Sequence, residues 1–172
     1  MSNDLLGNAV RIMMIRDLHA LEREIEAYPD DDSLWLTPPG ITNSAGNLAL
    51  HLVGGLRHFI GATLGQTGYM RNRDAEFSAK GMSRDHVVAE IRKAISDVDR
   101  TLSDLDSSRI GSTFPIKVGP QPRSVLTSDW LVHLGSHLTY HLGQIDYHRR
   151  LVNADPSTVD TVSPKDIPEP KE

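Results

Sequence analysis

Residues 127–151 read TSDWLVHLGSHLTYHLGQIDYHRRL, and this stretch predicts one long helix carrying four histidines. Three of them, His133, His137 and His141, recur every four residues, so neighbours lie about 40° apart and about 6 Å along the axis. Two imidazoles one turn apart can share a metal ion at a His–metal distance of about 2.0–2.1 Å. Three at this spacing drift too far around the helix to share it. The stretch therefore offers a pair of ligands and needs at least one more from elsewhere.

The composition limits both the kind of protein and its partners. The chain has 172 residues, which fits one domain with a substantial core, and its formal net charge is -5 without any Lys/Arg run. This balance argues against nucleic acid or an anionic membrane as a partner. No stretch approaches the roughly 20 apolar residues of a membrane span. The first residues lack the basic start and apolar run of a signal peptide, so we expect a cytoplasmic protein.

The chain contains no cysteine, which restricts the chemistry of any metal site. Disulfides, thiolate ligands and a cysteine nucleophile are excluded. Histidine, carboxylate and water remain as the ligands that could hold an ion.

Apolar residues at helical spacing predict an all-α four-helix bundle with long connections. The four helices are expected near residues 3–28, 43–65, 83–105 and 127–152. Residues 65–81 are expected to form an irregular connection, and the segment before the last helix holds at most a short extended piece near Phe114–Val118. The two long links leave the topology open and permit a crossover. We expect one domain over residues 1–152, followed by a polar, proline-spaced flexible tail over residues 153–172.

The second helix carries NLALHLVGGLRHFIGATLG over residues 47–65, with His51 in an otherwise apolar setting. Such a histidine is either a hydrogen-bonded core residue or a third metal ligand facing the pair on the last helix. His58 lies about 10.5 Å further along and is too far away to bind the same ion. Gly54 and Gly55 each weaken a helix by roughly 1 kcal/mol relative to Ala. They indicate tight helix packing, a close approach or an open pocket floor near His51.

These two stretches, NLALHLVGGLRHFIGATLG and HLGSHLTYHLGQIDYHRRL, resemble the DinB-like superfamily of metal-dependent enzymes, also called the YfiT-like fold. The resemblance covers roughly residues 5–152. It implies a four-helix bundle with one ligand from the second helix and a His-x-x-x-His pair directly before Gly-Gln on the fourth. In this chain the implied metal ligands are His51, His137 and His141, followed by Gly143-Gln144. His133 lies one turn too early for this register.

The resemblance also implies a function. Related proteins include transferases and isomerases that use low-molecular-weight thiols, so the implied activity is a thiol-dependent S-transferase acting on a small electrophile. We expect a divalent ion, zinc or nickel, with water completing its shell at one end of the bundle. The alternative is a non-catalytic metal-binding stress or interaction protein. Thiol-transferring members often have Arg directly after the last ligand, whereas this chain has Leu142, which weakens the case for an anion contact there.

Some further expectations concern residues around the site and the association of the chain. Gln144 could orient a ligand or cap a neighbouring helix, and the structural role is favoured. Tyr140 and Tyr147 could line the mouth of the site or serve packing. Helix one has the apolar run 13–15, Met-Met-Ile, which one face of a bundle does not need, so we expect a homodimer.

Overall fold

The computed structural model describes residues 5–116, 121–160 and 162–169. Over these residues the chain is helical, and no strand is present; one isolated antiparallel bridge joins Thr113 and Leu126. The helices are α1 (Leu5–Glu26), α2 (Ala45–Leu56, continued by a π-helical segment Arg57–Ala62), α3 (Arg73–Ser78), α4 (Arg84–Asp104), α5 (Ser107–Ile110) and α6 (Thr127–Asn153). The all-α prediction and its four long helices are confirmed. Residues 3–4 of the first predicted helix and residues 117–118 of the predicted extended piece lie outside the described ranges.

Local sequence signals explain where two of the long helices begin. The Ser44 hydroxyl accepts a hydrogen bond from the Asn47 amide at 3.2 Å. The Ser83 hydroxyl accepts one from the His86 amide at the same distance. Each serine thereby satisfies a backbone N–H that has no partner inside its helix.

The two long helices that precede α3 pack against the two long helices that come after it. Both α1 and α2 contact α4 and α6, so α1 and α2 lie on one diagonal of the bundle. The chain between them must therefore cross one end of the bundle. This crossing lies in the connection between the first two helices, not in either of the two long links that were expected to permit a crossover. This crossing includes a short 3₁₀ helix, Ser33–Trp35, whose indole packs against Gly46; an added Cβ there would lie 2.7 Å from the ring.

The apolar stripes of the four long helices meet in one core. Its fully buried side chains come from every long helix: Leu18, Leu21 and Ile25 from α1, Leu52 and Ile60 from α2, Ile91 and Val98 from α4, and Leu138, Leu142 and Ile145 from α6. Leu142 thus faces the core rather than the metal-ligand side of α6.

One prediction about the connections is wrong. Residues 65–81 are not irregular throughout, because they contain α3. The Asn72 side chain caps this short helix by accepting from the Ala75 amide at 3.0 Å. The side-chain amide of Asn47 on α2 donates to the Glu76 carbonyl at 3.0 Å and docks α3 against α2. This position brings the buried Glu76 carboxylate against α2.

The segment after α6 passes across α1. Arg23 donates to the Asp160 carbonyl at 2.9 Å and contacts the Asp166 carboxylate at 3.2 Å. Arg149 donates to the Ser157 carbonyl at 2.8 Å. The flexibility expected for residues 153–172 stays a prediction, and residues 161 and 170–172 of that segment lie outside the described ranges.

Among the described residues, none of the helices combines the length and the apolar character needed to cross a membrane.

Candidate metal centre

Three histidines converge between α2 and α6. His51 projects from α2, and His137 and His141 project from successive turns of α6, with one ring nitrogen of each within 4.8 Å of the others. The Nε2 atoms of His137 and His141 lie 3.1 Å apart. A tetrahedral ion would hold its nitrogens roughly 3.4 Å from one another. The structure therefore brings together the three residues that the sequence predicts as ligands.

The position of this group differs from the prediction in one respect. His137 and His141 lie near the middle of α6, which runs from Thr127 to Asn153. The expectation of a site at one end of the bundle is wrong. The three histidines lie instead on the side of the bundle where α3 covers α2.

A buried carboxylate on α3 fixes the orientation of the His51 ring. Glu76 is 6% exposed, and its Oε2 lies 3.1 Å from His51 Nδ1. When Nδ1 carries the proton and donates to Glu76, Nε2 is left unprotonated and free to bind a metal ion. Carboxylate–histidine pairs of this kind hold metal-binding imidazoles in the correct tautomer and raise their basicity.

Arg71 holds the Glu76 carboxylate in turn. Its Nε and Nη2 donate to the two carboxylate oxygens at 2.7 and 2.8 Å, a bidentate pair. Nη2 also lies 3.1 Å from His51 Nδ1, but a protonated Nδ1 cannot accept from it, so Arg71 donates to Glu76 alone in the metal-binding tautomer. Burial raises the pKa of Glu76, yet hydrogen bonds from Arg71 and His51 outweigh it and hold that pKa below its usual value. Glu76 is therefore a carboxylate at neutral pH.

The Gly54 position allows the carboxylate to come this close to α2. A Cβ added to Gly54 would lie 2.1 Å from Glu76 Oε1, whereas one added to Gly55 would meet its nearest neighbour, Arg71, at 3.7 Å. The glycine pair on α2 thus has two separate explanations. Gly54 permits a close approach, and Gly55 lines an open cleft.

The side-chain amide of Gln144 orients the His141 ring. His141 Nδ1 donates to Gln144 Oε1 at 2.6 Å, one turn further along α6. This bond leaves His141 Nε2 to face the other two rings. The expectation that Gln144 caps a neighbouring helix is wrong, because its side chain contacts His141 rather than a helix end.

The electrostatics keep the α6 pair neutral. Burial, with smaller contributions from the neighbouring His141, His51 and His133, lowers the pKa of His137 to about 4. Burial also lowers the pKa of His141, against a smaller raising effect from Gln144. Neutral imidazole is the form that binds metal, so no proton on this pair has to be displaced at pH 7. Imidazole nitrogen donors suit a borderline divalent ion such as zinc or nickel.

The other histidines of the two helices lie outside this group. His133 is exposed, and its ring stacks on Trp130 with 4.7 Å between centroids. His58 packs edge-on against Phe59. His148 is buried, and both of its ring nitrogens are hydrogen-bonded. Its Nε2 donates to the Leu36 carbonyl at 2.9 Å, and its Nδ1 accepts from the Tyr28 hydroxyl at 2.7 Å.

Two clefts reach the histidine group from different sides. The first, of about 540 Å³, touches His51 and His137 and also has Arg71, Arg73, Phe59 and Trp130 in its wall. The second, of about 550 Å³, touches His141 and Gln144 and has Tyr140, Tyr147 and Ile41 in its wall. Tyr140 and Tyr147 are 65% and 75% exposed, so they line a mouth rather than fill the core.

A protein family described as "Protein of unknown function (DUF1572)" has a profile that matches residues 4–165 of this chain. The match spans α1 to α6 together with the histidine group. The chain belongs to this family. The description of the DUF1572 family names no activity, and no curated protein matches the chain.

In this DUF1572-family chain, the residues that the sequence analysis misses are Glu76 and Arg71. They lie in and just before a helix of six residues, too short to show a helical period. The available signal is local: Asn72 can cap a helix, and Asp74 and Glu76 follow within its first turn. That signal locates α3 but does not indicate that Glu76 faces His51.

Proposed function

We propose that the chain is a DinB-like metalloprotein in which His51, His137 and His141 hold one divalent ion, zinc or nickel. The observation that carries the proposal is the convergence of three imidazole nitrogens within 4.8 Å. Its support comes from the atoms behind them. Glu76 and Gln144 each accept from an Nδ1, and an imidazole that donates from Nδ1 presents its lone pair at Nε2.

The proposed activity is thiol-dependent S-transfer to a small electrophile. Three protein ligands leave a position open for water or substrate, the arrangement typical of catalytic rather than structural zinc. The clefts on either side of the histidines give a thiol and an electrophile separate routes to that position. The resemblance of the two histidine stretches to DinB-like thiol transferases also supports this activity.

The chemistry requires a deprotonated thiol and a positioned electrophile. A bound divalent ion lowers the pKa of a thiol or water molecule that it contacts. The thiolate sulfur attacks the electrophilic carbon, a C–S bond forms, and the leaving group departs with its bonding pair while the thiol proton passes to solvent. The chain's own contribution is to fix the imidazoles: Glu76 and Gln144 hold the protons at the Nδ1 atoms, and the buried Leu142 and Leu138 behind the ligands keep α6 in place.

Metal content of the purified protein tests the site. We expect one equivalent of divalent metal in the wild-type chain and its loss in His51→Ala, His137→Ala and His141→Ala. His133→Ala and His58→Ala serve as matched controls and should retain the metal, because neither ring belongs to the group. Stoichiometric metal that survives His51→Ala and His141→Ala would refute the site.

Turnover separates the enzyme from a non-catalytic metal-binding stress or interaction protein. The metal-loaded chain should consume a small electrophile in the presence of a low-molecular-weight thiol, and His141→Ala should abolish the reaction. If the wild-type protein holds metal but a panel of thiols and electrophiles yields no product, the binding-protein function replaces the enzymatic one.

We also propose a homodimer, in the cytoplasm, formed through α1 and α6. Met14 is buried, but Met13 is only partly covered, and it lines a groove of about 300 Å³ with Val10 and Val132. Val132 is 47% exposed. Light scattering should give twice the monomer mass of 19.0 kDa, and the monomer mass at micromolar concentration would contradict the dimer.

A further inference from the structure

The cleft beside His51 and His137 differs in charge from the cleft beside His141. Its wall contains two arginines, Arg71 and Arg73, and the residues that line it in the described part of the chain include no acidic side chain. Its apolar surface includes Phe59 and Trp130, whose rings meet edge to face with 5.1 Å between centroids. This cationic cleft therefore combines a positive wall with an aromatic one.

The two arginines have different roles. Arg71 is 13% exposed and forms an ion pair with Glu76 through two hydrogen bonds. Arg73 is exposed and lies with its guanidinium carbon 5.0 Å from the centre of the Phe77 ring, and no carboxylate forms an ion pair with it within the described residues. Arg73 is thus the cation that an incoming anion can meet.

A metal ion on the histidines would add to this field. The three proposed ligands are imidazoles that contribute no negative charge, and the Arg71–Glu76 pair is neutral as a whole. A bound divalent ion would keep its full 2+ charge beside the cleft. The side chains lining the second cleft near the site are Tyr140, Tyr147, Gln144 and Ile41, which are uncharged. Of these two clefts, judged by their described lining residues, the cationic cleft is the one that favours an anion.

We propose that the cationic cleft binds the carboxylate of a small organic molecule against Arg73. The aromatic or aliphatic body of that molecule packs on Phe59 and Trp130, and its other end reaches the histidine group. This inference rests on the proposed function for the metal at that end, while the contact with Arg73 is independent of it. An Arg–carboxylate contact is a charge-assisted hydrogen bond that a neutral analogue cannot make.

The test titrates cobalt-loaded protein with 3-mercaptopropionate and with 3-mercapto-1-propanol, which differ only in the carboxylate. Visible absorption of the cobalt reports thiol binding. We expect the acid to bind more tightly than the alcohol. Arg73→Gln should lower the affinity for the acid by about threefold to fivefold, the upper part of the range for an exposed ion pair, and leave the affinity for the alcohol unchanged. Arg73→Glu should lower the affinity for the acid by about tenfold. Arg73→Lys should retain most of the preference for the acid over the alcohol. Arg100→Gln, which removes another exposed arginine, on α4, should change the affinity of neither ligand.

A second pair of ligands tests whether the cleft binds a carboxylate on a molecule that has no thiol. Calorimetric titration with 3-phenylpropionate and 3-phenyl-1-propanol should show the same preference and the same dependence on Arg73. If cobalt fails to bind, the metal site is refuted, and titration of the metal-free protein with this pair still tests the cleft. If cobalt binds but acid and alcohol have equal affinities, or Arg73→Gln leaves the preference for both acids unchanged, the carboxylate site is overturned while the metal site stands.

Discussion

Replacing Glu76 by Gln should weaken metal binding although Glu76 is not a ligand. The substitution keeps the size of the side chain but removes the charge that accepts from His51 Nδ1 at 3.1 Å and binds Arg71 through both oxygens. Changes to such supporting groups cost about 10-fold to 100-fold in metal affinity. Because Glu76 is only 6% exposed, solvent cannot replace it, and we expect the upper half of that range.

Competition with a chromophoric chelator measures this affinity on folded protein, with folding checked by circular dichroism. Glu90→Gln is the matched control, because Glu90 also pairs with an arginine, Arg57 at 2.7 Å, but on α4 and away from the histidines. The control should keep wild-type affinity. Equal affinities for wild type and Glu76→Gln would refute the claim that Glu76 fixes the tautomer and orientation of His51.

Three further substitutions or titrations test other parts of the structure. Gly54→Ala should reduce both stability and metal affinity by displacing Glu76, which would lie 2.1 Å from the new methyl group, while Gly55→Ala should be close to neutral; urea unfolding and the chelator assay compare them. The metal-free protein should lose stability as the pH falls from 6.5 to 4, because the folded-state pKa of His137 is about 4 and the unfolded chain binds the proton first. The expected loss in the free energy of unfolding is on the order of 2–3 kcal/mol. His137→Ala should flatten this part of the plot of urea midpoint against pH. Arg149→Met should destabilise the fold by about 3–5 kcal/mol, since it removes the 2.6 Å partner of the fully buried Glu24; an unchanged urea midpoint would contradict this.

The sequence predicts the long helices because their signals repeat. Apolar residues recur at helical spacing over 18 to 27 residues, and Ser44 and Ser83 supply N-caps, so the ends lie within about three residues of their predicted places. The order of helices around the core is not predictable in this way. Long connections allow several paths, and only the tertiary packing places α1 diagonal to α2.

Part of the candidate site is also predictable from the sequence, and part is not. His137 and His141 are neighbours by helical geometry, and the Gly-Gln register of the resemblance selects them and His51 over His133. The contact between Glu76 and His51 could not be predicted from the sequence. A helix of six residues is too short to show a helical period, and nothing in its sequence indicates that Glu76 faces His51. The close approach at Gly54 is visible only once α3 is docked.

The position of a bound ion tests the central claim most directly. Crystals of metal-loaded protein, with diffraction data collected at the absorption edge of the added zinc or nickel, would show the ion as an anomalous peak. We predict one peak at about 2.0–2.1 Å from the Nε2 atoms of His51, His137 and His141, with Glu76 and Gln144 still accepting from Nδ1 atoms. A peak at other residues, or fully loaded protein whose three imidazoles point away from one another, would contradict it.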